Sequence, residues 1–557
     1  MKHAPRRIGL GISAFPLLFG LLQPPLSIAE DQNVPTLTFR TSANLVLLDA
    51  VVTDKDGNPI PMLSAKDFQL KEDGKLQPLA FVTPPSEQGN QAAPPPLPAG
   101  VYSNSPAYRL SGATPTAIVL DSANTTFKDQ LYARTEMLKY LRTQHKPDER
   151  VAIFTLTDRL SLVQDFTGDA ATLAAALQNL NLSEPELSRT ASGGASQLRD
   201  LRVNAQQYQT LVQAFGRFQR SQSQYSIDRR AEVTLDAMRR LTRMLGGLPG
   251  RKNIIWLSGG LPFTLDPDVA YNGTELAENF QTPMRVTSRF GAQETLTSSQ
   301  SLFYGEKIRE IASQMASAQV AIYPIDARGL LLTASQTDVD VQETMREIAR
   351  QTGGRAFISR NDIDNGIAVA QRDRKGTYTL GYYPTNRKWD HKFRSIDLKV
   401  NHPGAEATYR RGYFAVENAH PSDEKLDQSL AEAWKDEAPD TLVVFEAQLS
   451  AAEKGKTRVD FLVDANSVST TDEAGSKKFD VGFYVAALSP DGRVLQVKGT
   501  KLERAFPPDV YNQMLQKGIH IHLEADTPPG CRNFGLAVRD NQTSYIGTLH
   551  ALLPAKP

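Results

Sequence analysis

Two short polar clusters close apolar runs at positions where chemistry is possible. Thr116-Ala117-Ile118-Val119-Leu120 ends in Asp121-Ser122-Ala123-Asn124-Thr125, and Asn253-Ile254-Ile255-Trp256-Leu257 ends in Ser258-Gly259-Gly260. A carboxylate among hydroxyls supplies hard oxygens for a cation, or an acid beside a nucleophile. The same residue types also build plain loops, in which Asp121 accepts from nearby amides. Known catalytic signatures do not accompany them. Ser258 lacks the Gly two residues earlier that a strained nucleophile elbow needs. The chain has no Gly-rich phosphate loop with Lys-Ser/Thr, no His-Glu-x-x-His and no paired Cys motif. His520 and His522 share one face of an expected strand, with no third ligand evident. Asp54, Asp56 and Gly57 open like a calcium loop but lack its downstream acids, so they read as a turn.

The elements that must position these clusters alternate in type from Thr116 to about Gln371. Strands are expected at 116–120, 151–156, 253–257, 320–325 and 355–358. Helices are expected at 130–142, 170–177, 232–245, 308–315 and 341–350, the third stopped by Gly246-Gly247-Leu248-Pro249-Gly250. Such alternation implies a mostly parallel sheet covered on both faces. Right-handed crossovers then bring the strand-to-helix loops to one edge, where ligands of open parallel sheets sit. Both clusters fall on that edge. Asp158 and Asp326, at the ends of neighbouring strands, could add charge but read as turn and loop residues. Two long insertions border the edge. Leu187 to Asp228 carries an apolar stripe at helical spacing, which is expected to pack back on the domain. Leu261 to Leu302 is polar and loop-like.

This middle region resembles the von Willebrand factor type A family, whose first strand ends in Asp-x-Ser-x-Ser and whose fourth ends in Asp followed by Gly. With Asn44 to Asp49, Gly381-Tyr382-Tyr383-Pro384 and Arg411-Gly412-Tyr413-Phe414, the layout is similar to the acidobacterial-type secreted subgroup over roughly residues 38–416. The resemblance implies a doubly wound sheet and a metal-ion-dependent adhesion site for Mg²⁺, which receives a partner's carboxylate. It assigns Asp121, Thr125, Thr234 and Ser258 to that site. Ala123 stands where the family has its first Ser, and Ser258 where it has its second Asp. One carboxylate in place of two lowers the site's charge and weakens Mg²⁺ binding.

The frame around this region is read from composition. The 557 residues allow about three domains at roughly 150 residues each. Lys plus Arg and Asp plus Glu are equal at 62, so no net field draws the chain to nucleic acid. Lys2, Arg6 and Arg7, an apolar run from Ile8 to Leu22, and Ser27-Ile28-Ala29 compose a secretory signal peptide at 1–29, with Glu30 as the mature start. Its apolar run of about 15 residues is short for a membrane span of roughly 20. The single Cys531 permits no internal disulfide and reads as a small core residue.

The expected order is a β-rich module at 35–83, a Pro-rich linker at 84–112, and the α/β domain at 113–375. A β extension at 376–416, a linker at 417–440 and a β-sandwich at 441–557 follow. The expected function is a non-enzymatic, exported recognition or adhesion-type protein. It would bind a protein partner at the strand-end edge, without a membrane span once the signal is removed. A hydrolase using Asp121 and Ser258, or a scaffold with a vestigial site, are the alternatives.

Overall fold

The computed structural model describes residues 45–85, 95–110, 115–183, 205–248, 250–263, 285–287, 293–295, 298–331, 333, 335–390, 392–415, 430, 433–434, 438–452, 455–531 and 533–552. The segment expected as a signal peptide lies outside them, as do residues 187–204 and most of 261–302 of the two expected insertions. No helix among the described residues is long and apolar enough to cross a membrane.

The first strands are β1 (Val46–Thr53), β2 (Phe68–Glu72), β3 (Lys75–Gln77), β4 (Leu79–Thr83) and β5 (Val101–Ser103), followed by the one-turn helix α1 (Ala107–Leu110). The middle region then runs β6 (Pro115–Asp121), α2 (Phe127–Thr143), β7 (Arg150–Leu156), β8 (Leu160–Thr167), α3 (Ala170–Gln178), α4 (Ala205–Gly246) and β9 (Lys252–Ser258). A small hairpin, β10 (Arg285–Thr287) and β11 (Gln293–Thr295), precedes α5 (Ser298–Ser317), β12 (Val320–Asp326), α6 (Gln336–Thr352) and α7 (Ile363–Asp373).

Five of these strands form one mixed sheet in the order β12-β9-β6-β7-β8, parallel except for the β7–β8 edge pair. Its inner strands are apolar along their middles and polar towards their ends, because both faces are covered. Ala117, Val119, Ile254, Trp256 and Ile322 face a core completed by α4, α5 and α6. Their neighbours Ile118, Leu120, Ile255, Leu257 and Tyr323 face α2, α3 and α7. From β6 the chain crosses to β7 on one side, and β9 lies on the other. The carboxyl ends of β6 and β9 therefore flank the point where strand order reverses. The strand expected at 355–358 is reduced to one parallel bridge between Phe357 and Ile325. Gly354 lies so close to the sheet that a Cβ there would stand 1.9 Å from the Ile322 carbonyl oxygen. Ser359, at a φ of 53°, then turns the chain away.

The flanking strands assemble across long stretches of sequence. β1 pairs antiparallel with β13 (Thr377–Tyr382) and with β15 (Glu406–Tyr409). β2 pairs with β14 (Phe393–Val400), which also carries β16 (Gly412–Phe414). The two resulting sheets share one core built on Leu48, Ala50, Leu70, Tyr378, Leu380, Tyr382 and Leu398. Gly381 is required where β13 passes Phe81, whose ring would lie 2.3 Å from an added Cβ.

The C-terminal strands are β17 (Phe445–Ala451), β18 (Lys456–Val463), β19 (Thr471–Glu473), β20 (Ser476–Leu488), β21 (Val494–Phe506), β22 (Ile519–Asp526), β23 (Asn533–Asp540) and β24 (Ile546–Leu552). They form two antiparallel sheets over a core rich in Phe445, Phe461, Phe479, Phe483 and Phe534. One strand comes from the Pro-rich stretch: β5 pairs with β17. Asn104 fixes it there, donating to the Asp440 and Val443 carbonyls and accepting from the Phe445 amide at 2.8–2.9 Å.

Candidate functional site

The loop after β6 is bound down before it reaches α2. The Ala123 amide donates to the Leu156 carbonyl at 2.8 Å. From the first turn of α2, Gln130 Nε2 donates to the carbonyls of Thr125 and Ser183 at 2.8 and 3.0 Å. Across the crevice, the Gly259 amide donates to Thr125 Oγ1 at 2.8 Å and ties the β6 loop to the end of β9.

Asp121 stands at the centre, fully buried. Its Oδ1 accepts from the Asn124 amide at 3.1 Å and from Asn124 Nδ2 at 3.0 Å. Its Oδ2 accepts from Asn124 Nδ2 and Trp256 Nε1, both at 3.0 Å, and faces Ser258 Oγ at 2.8 Å. Asn124 Nδ2 also reaches Thr234 Oγ1 on α4, at 3.0 Å. The four residues expected at the site are thus brought together, all of them buried. Ser258 Oγ lies 2.6 Å from the Gly260 carbonyl as well. A hydroxyl has one proton for these two acceptors. When Ser258 donates to Gly260, a protonated Asp121 supplies the hydrogen of the remaining contact. Burial favours that form by lifting the Asp121 carboxyl above its ordinary value, against the pull of its Asn124, Trp256 and Ser258 hydrogen bonds. Arg230 on α4 is also buried, which works against its charge; Asp121 offsets part of that cost only in its ionised form.

These residues do not fit a Mg²⁺ ion. The indole N–H of Trp256 and the amide NH₂ of Asn124 point their positive ends at the only carboxylate, where a cation would approach. Thr125 and Thr234 each have a lone pair engaged by an N–H donor. Asn124 Oδ1 and Gln130 Oε1 are buried acceptors without a partner, but neutral amide oxygens do not replace a second carboxylate. Among the described residues no group of three His, Cys, Asp or Glu is placed to hold a metal.

The other acids stay out of the cluster. Asp158 is in the exposed β7–β8 turn, where it accepts from Thr157 Oγ1 at 3.0 Å. Asp326 is buried and ion-paired to Arg328 at 2.6 Å. His520 and His522 are exposed along β22. Sequence reasoning missed Trp256, Gln130 and Arg230. For Trp256 a signal existed: it shares a strand face with Ser258 two residues on, and a buried indole N–H needs an acceptor.

The segments that follow the carboxyl ends of β6 and β12 also expose apolar side chains. Phe127 and Leu131, one turn apart on α2, are 42% and 41% exposed, and Leu330 and Val339 are 51% and 46% exposed. Asn361 joins their supports: its carbonyl accepts from Tyr132 Oη at 2.6 Å, and its Oδ1 accepts from the Leu330 amide at 2.8 Å. Arg328 ties Asp326 to Asp338, beside Val339.

The described chain is thus a mixed α/β protein with a parallel-centred sheet and antiparallel β modules. No family profile and no curated protein sequence matches it. Solved structures similar to it include an aerotolerance-related membrane protein from Bacteroides fragilis, at 12% identity and a TM-score of 0.24, over 47% of this chain and 100% of that one. The von Willebrand factor domain of the type V pili tip protein Mfa5 from Porphyromonas gingivalis is similar at 10% identity and a TM-score of 0.21, over 47% and 94%. The pilus adhesin SpaC from Lactobacillus rhamnosus GG, in its open conformation, is similar at 9% identity and a TM-score of 0.27, over 87% and 71%. Likeness at this level does not transfer a ligand or a partner from one protein to another.

Proposed function

We propose that this chain is an exported, non-enzymatic recognition protein of adhesion type. In this reading the α/β region is a doubly wound domain of von Willebrand factor A type, and a protein partner binds at the carboxyl edge of its sheet without a resident metal. The exposed apolar side chains of Phe127, Leu131, Leu330 and Val339 carry the reading, because they follow the carboxyl ends of β6 and β12, the edge at which open sheets of this kind take ligands. The chemistry of the polar cluster supports recognition over hydrolysis. Ser258 Oγ is buried and bonded to Asp121 and to the Gly260 backbone, so it is a strut of the loop and not a nucleophile open to substrate. Export rests on the character of residues 1–29.

The test is retention of envelope proteins by the immobilised chain, with and without chelator. Phe127→Asp with Leu131→Asp is expected to abolish retention at unchanged fold, and chelator to leave it intact. Retention that survives the double substitution would sink these side chains as the binding surface.

A further inference from the structure

The opposite end of the parallel sheet carries a site of different character. There Arg251, just before β9, and Gln319, just before β12, meet β1 and the end of β15. Between them lies a small cavity, in which the centre of a water-sized body has about 10 Å³ of freedom, lined among others by Asp49, Arg251, Gln319, Thr352 and Arg410.

The charges around it do not balance. Arg251 is buried and donates only to neutral oxygens: Asn253 Oδ1 at 3.3 Å, Tyr323 Oη at 3.0 Å and the Gly353 carbonyl at 2.5 Å. Arg410 is 8% exposed and donates Nη2 to the Leu47 carbonyl at 2.6 Å, while its Nε–H is buried without any partner. Among the described residues Asp49 is the one acid lining the cavity, and its Oδ1 accepts from Gln319 Nε2 and Thr379 Oγ1 at 2.9 and 2.6 Å. The next acid, Asp373, is paired with Arg355 at 3.1 Å, and its field also reaches Arg251, to which Tyr323 links it. Arg410 is the group left short: burial works against its charge, Asp49 is the one carboxylate that offsets this, and Asp49 is shared with Arg251; a buried charge so poorly matched is disfavoured.

We propose that the cavity binds one small monovalent anion, chloride in solution, held by the free Nε–H of Arg410 beside Arg251. A water molecule would satisfy that N–H and leave the excess charge in place; the anion removes both defects. Because Arg251 belongs to the α/β region and Arg410 and Asp49 to the β module, the anion fastens the module to the amino end of the sheet. Anion binding to the folded chain alone raises its stability with concentration.

The experiment follows the thermal midpoint of the full chain in sodium chloride and in sodium gluconate, whose anion is too large for the cavity, at matched ionic strength. The midpoint is expected to rise by about 2 °C per tenfold chloride above the dissociation constant and to stay level in gluconate. Arg410→Met should abolish the difference. Crystals grown in bromide should show an anomalous peak in the cavity, a readout that needs no variant. Equal midpoints in the two salts, an undiminished chloride response in Arg410→Met, or a bromide-free cavity would each overturn the proposal.

Discussion

At the carboxyl end of β6 one acid, Asp121, is enclosed by N–H and O–H donors from Asn124, Trp256 and Ser258. At the amino end of β9 the arrangement is inverted: Arg251 is enclosed by carbonyl, amide and hydroxyl oxygens, and Arg410 stands next to it. Neutral dipoles of the fold surround the ionisable group in both places. The ends differ in surplus. The carboxyl end has its acid engaged by internal donors, an arrangement that does not suit a cation. The amino end keeps an unused donor and an unmatched positive charge, which opens it to an anion. Which ligand an end of the sheet accepts is thus set by the hydrogen-bond capacity left over, more than by the sign of its most conspicuous residue.

The largest expected effect is at the carboxyl end. Asp121→Leu leaves the buried Trp256 indole N–H and the Asn124 amides without their shared acceptor, while Ser258 keeps the Gly260 carbonyl, at about 3–5 kcal/mol. Urea unfolding followed by Trp fluorescence measures it. Arg251→Met is expected to lower stability less, by about 2 kcal/mol, because the lost hydrogen bonds are partly offset by removing one of two crowded positive charges. A larger loss from Arg251→Met than from Asp121→Leu would break the comparison.

Ser258→Asp puts a second carboxylate against Asp121 and should cost about 1–2 kcal/mol in chelator through like-charge repulsion. Calorimetry should then show Mg²⁺ binding in that variant at millimolar concentration and none in the wild type. Wild-type binding would mean that Asn124 and Trp256 give way to the ion.

The smallest effect is on pH dependence. The folded chain holds the Asp121 proton to a higher pH than the unfolded chain, where the group titrates near 3.8. The associated stability is complete below that value and is lost as pH rises through the folded one. Asp121→Asn cannot titrate, so the wild type should gain on it as pH falls from 7 to 4. A midpoint difference that stays constant over that range would show the carboxylate ionised throughout.

Much of this was legible in residue types and spacing. The apolar runs ending in Asp121 and Ser258 fixed both strands and the edge they share, since a strand buried on both faces admits polar residues only at its ends. The state of Asp121 was not legible. Its partner Trp256 is more than 100 residues away and belongs to a strand read for its apolar character. A second miss has the same cause. Tyr382 and Tyr413 donate to the buried Glu72 at 2.8 and 2.9 Å across more than 300 residues, which no local pattern announces. The Pro-rich stretch concealed β5 because three residues are too few for a period to emerge.

The pairing of β1 with β13 and β15 also sets a timetable. When Val46 to Thr53 leaves the ribosome, both of its lateral neighbours are still more than 300 residues from synthesis. At about 5–20 residues per second the wait is roughly 15 to 65 s. For that interval Val46-Leu47-Leu48 and Val51-Val52 form an apolar ribbon with two open edges, in the company of every other nascent copy on the same message. The interval makes this segment a natural client for a chaperone that holds extended chains, and a point at which slow translation would invite aggregation.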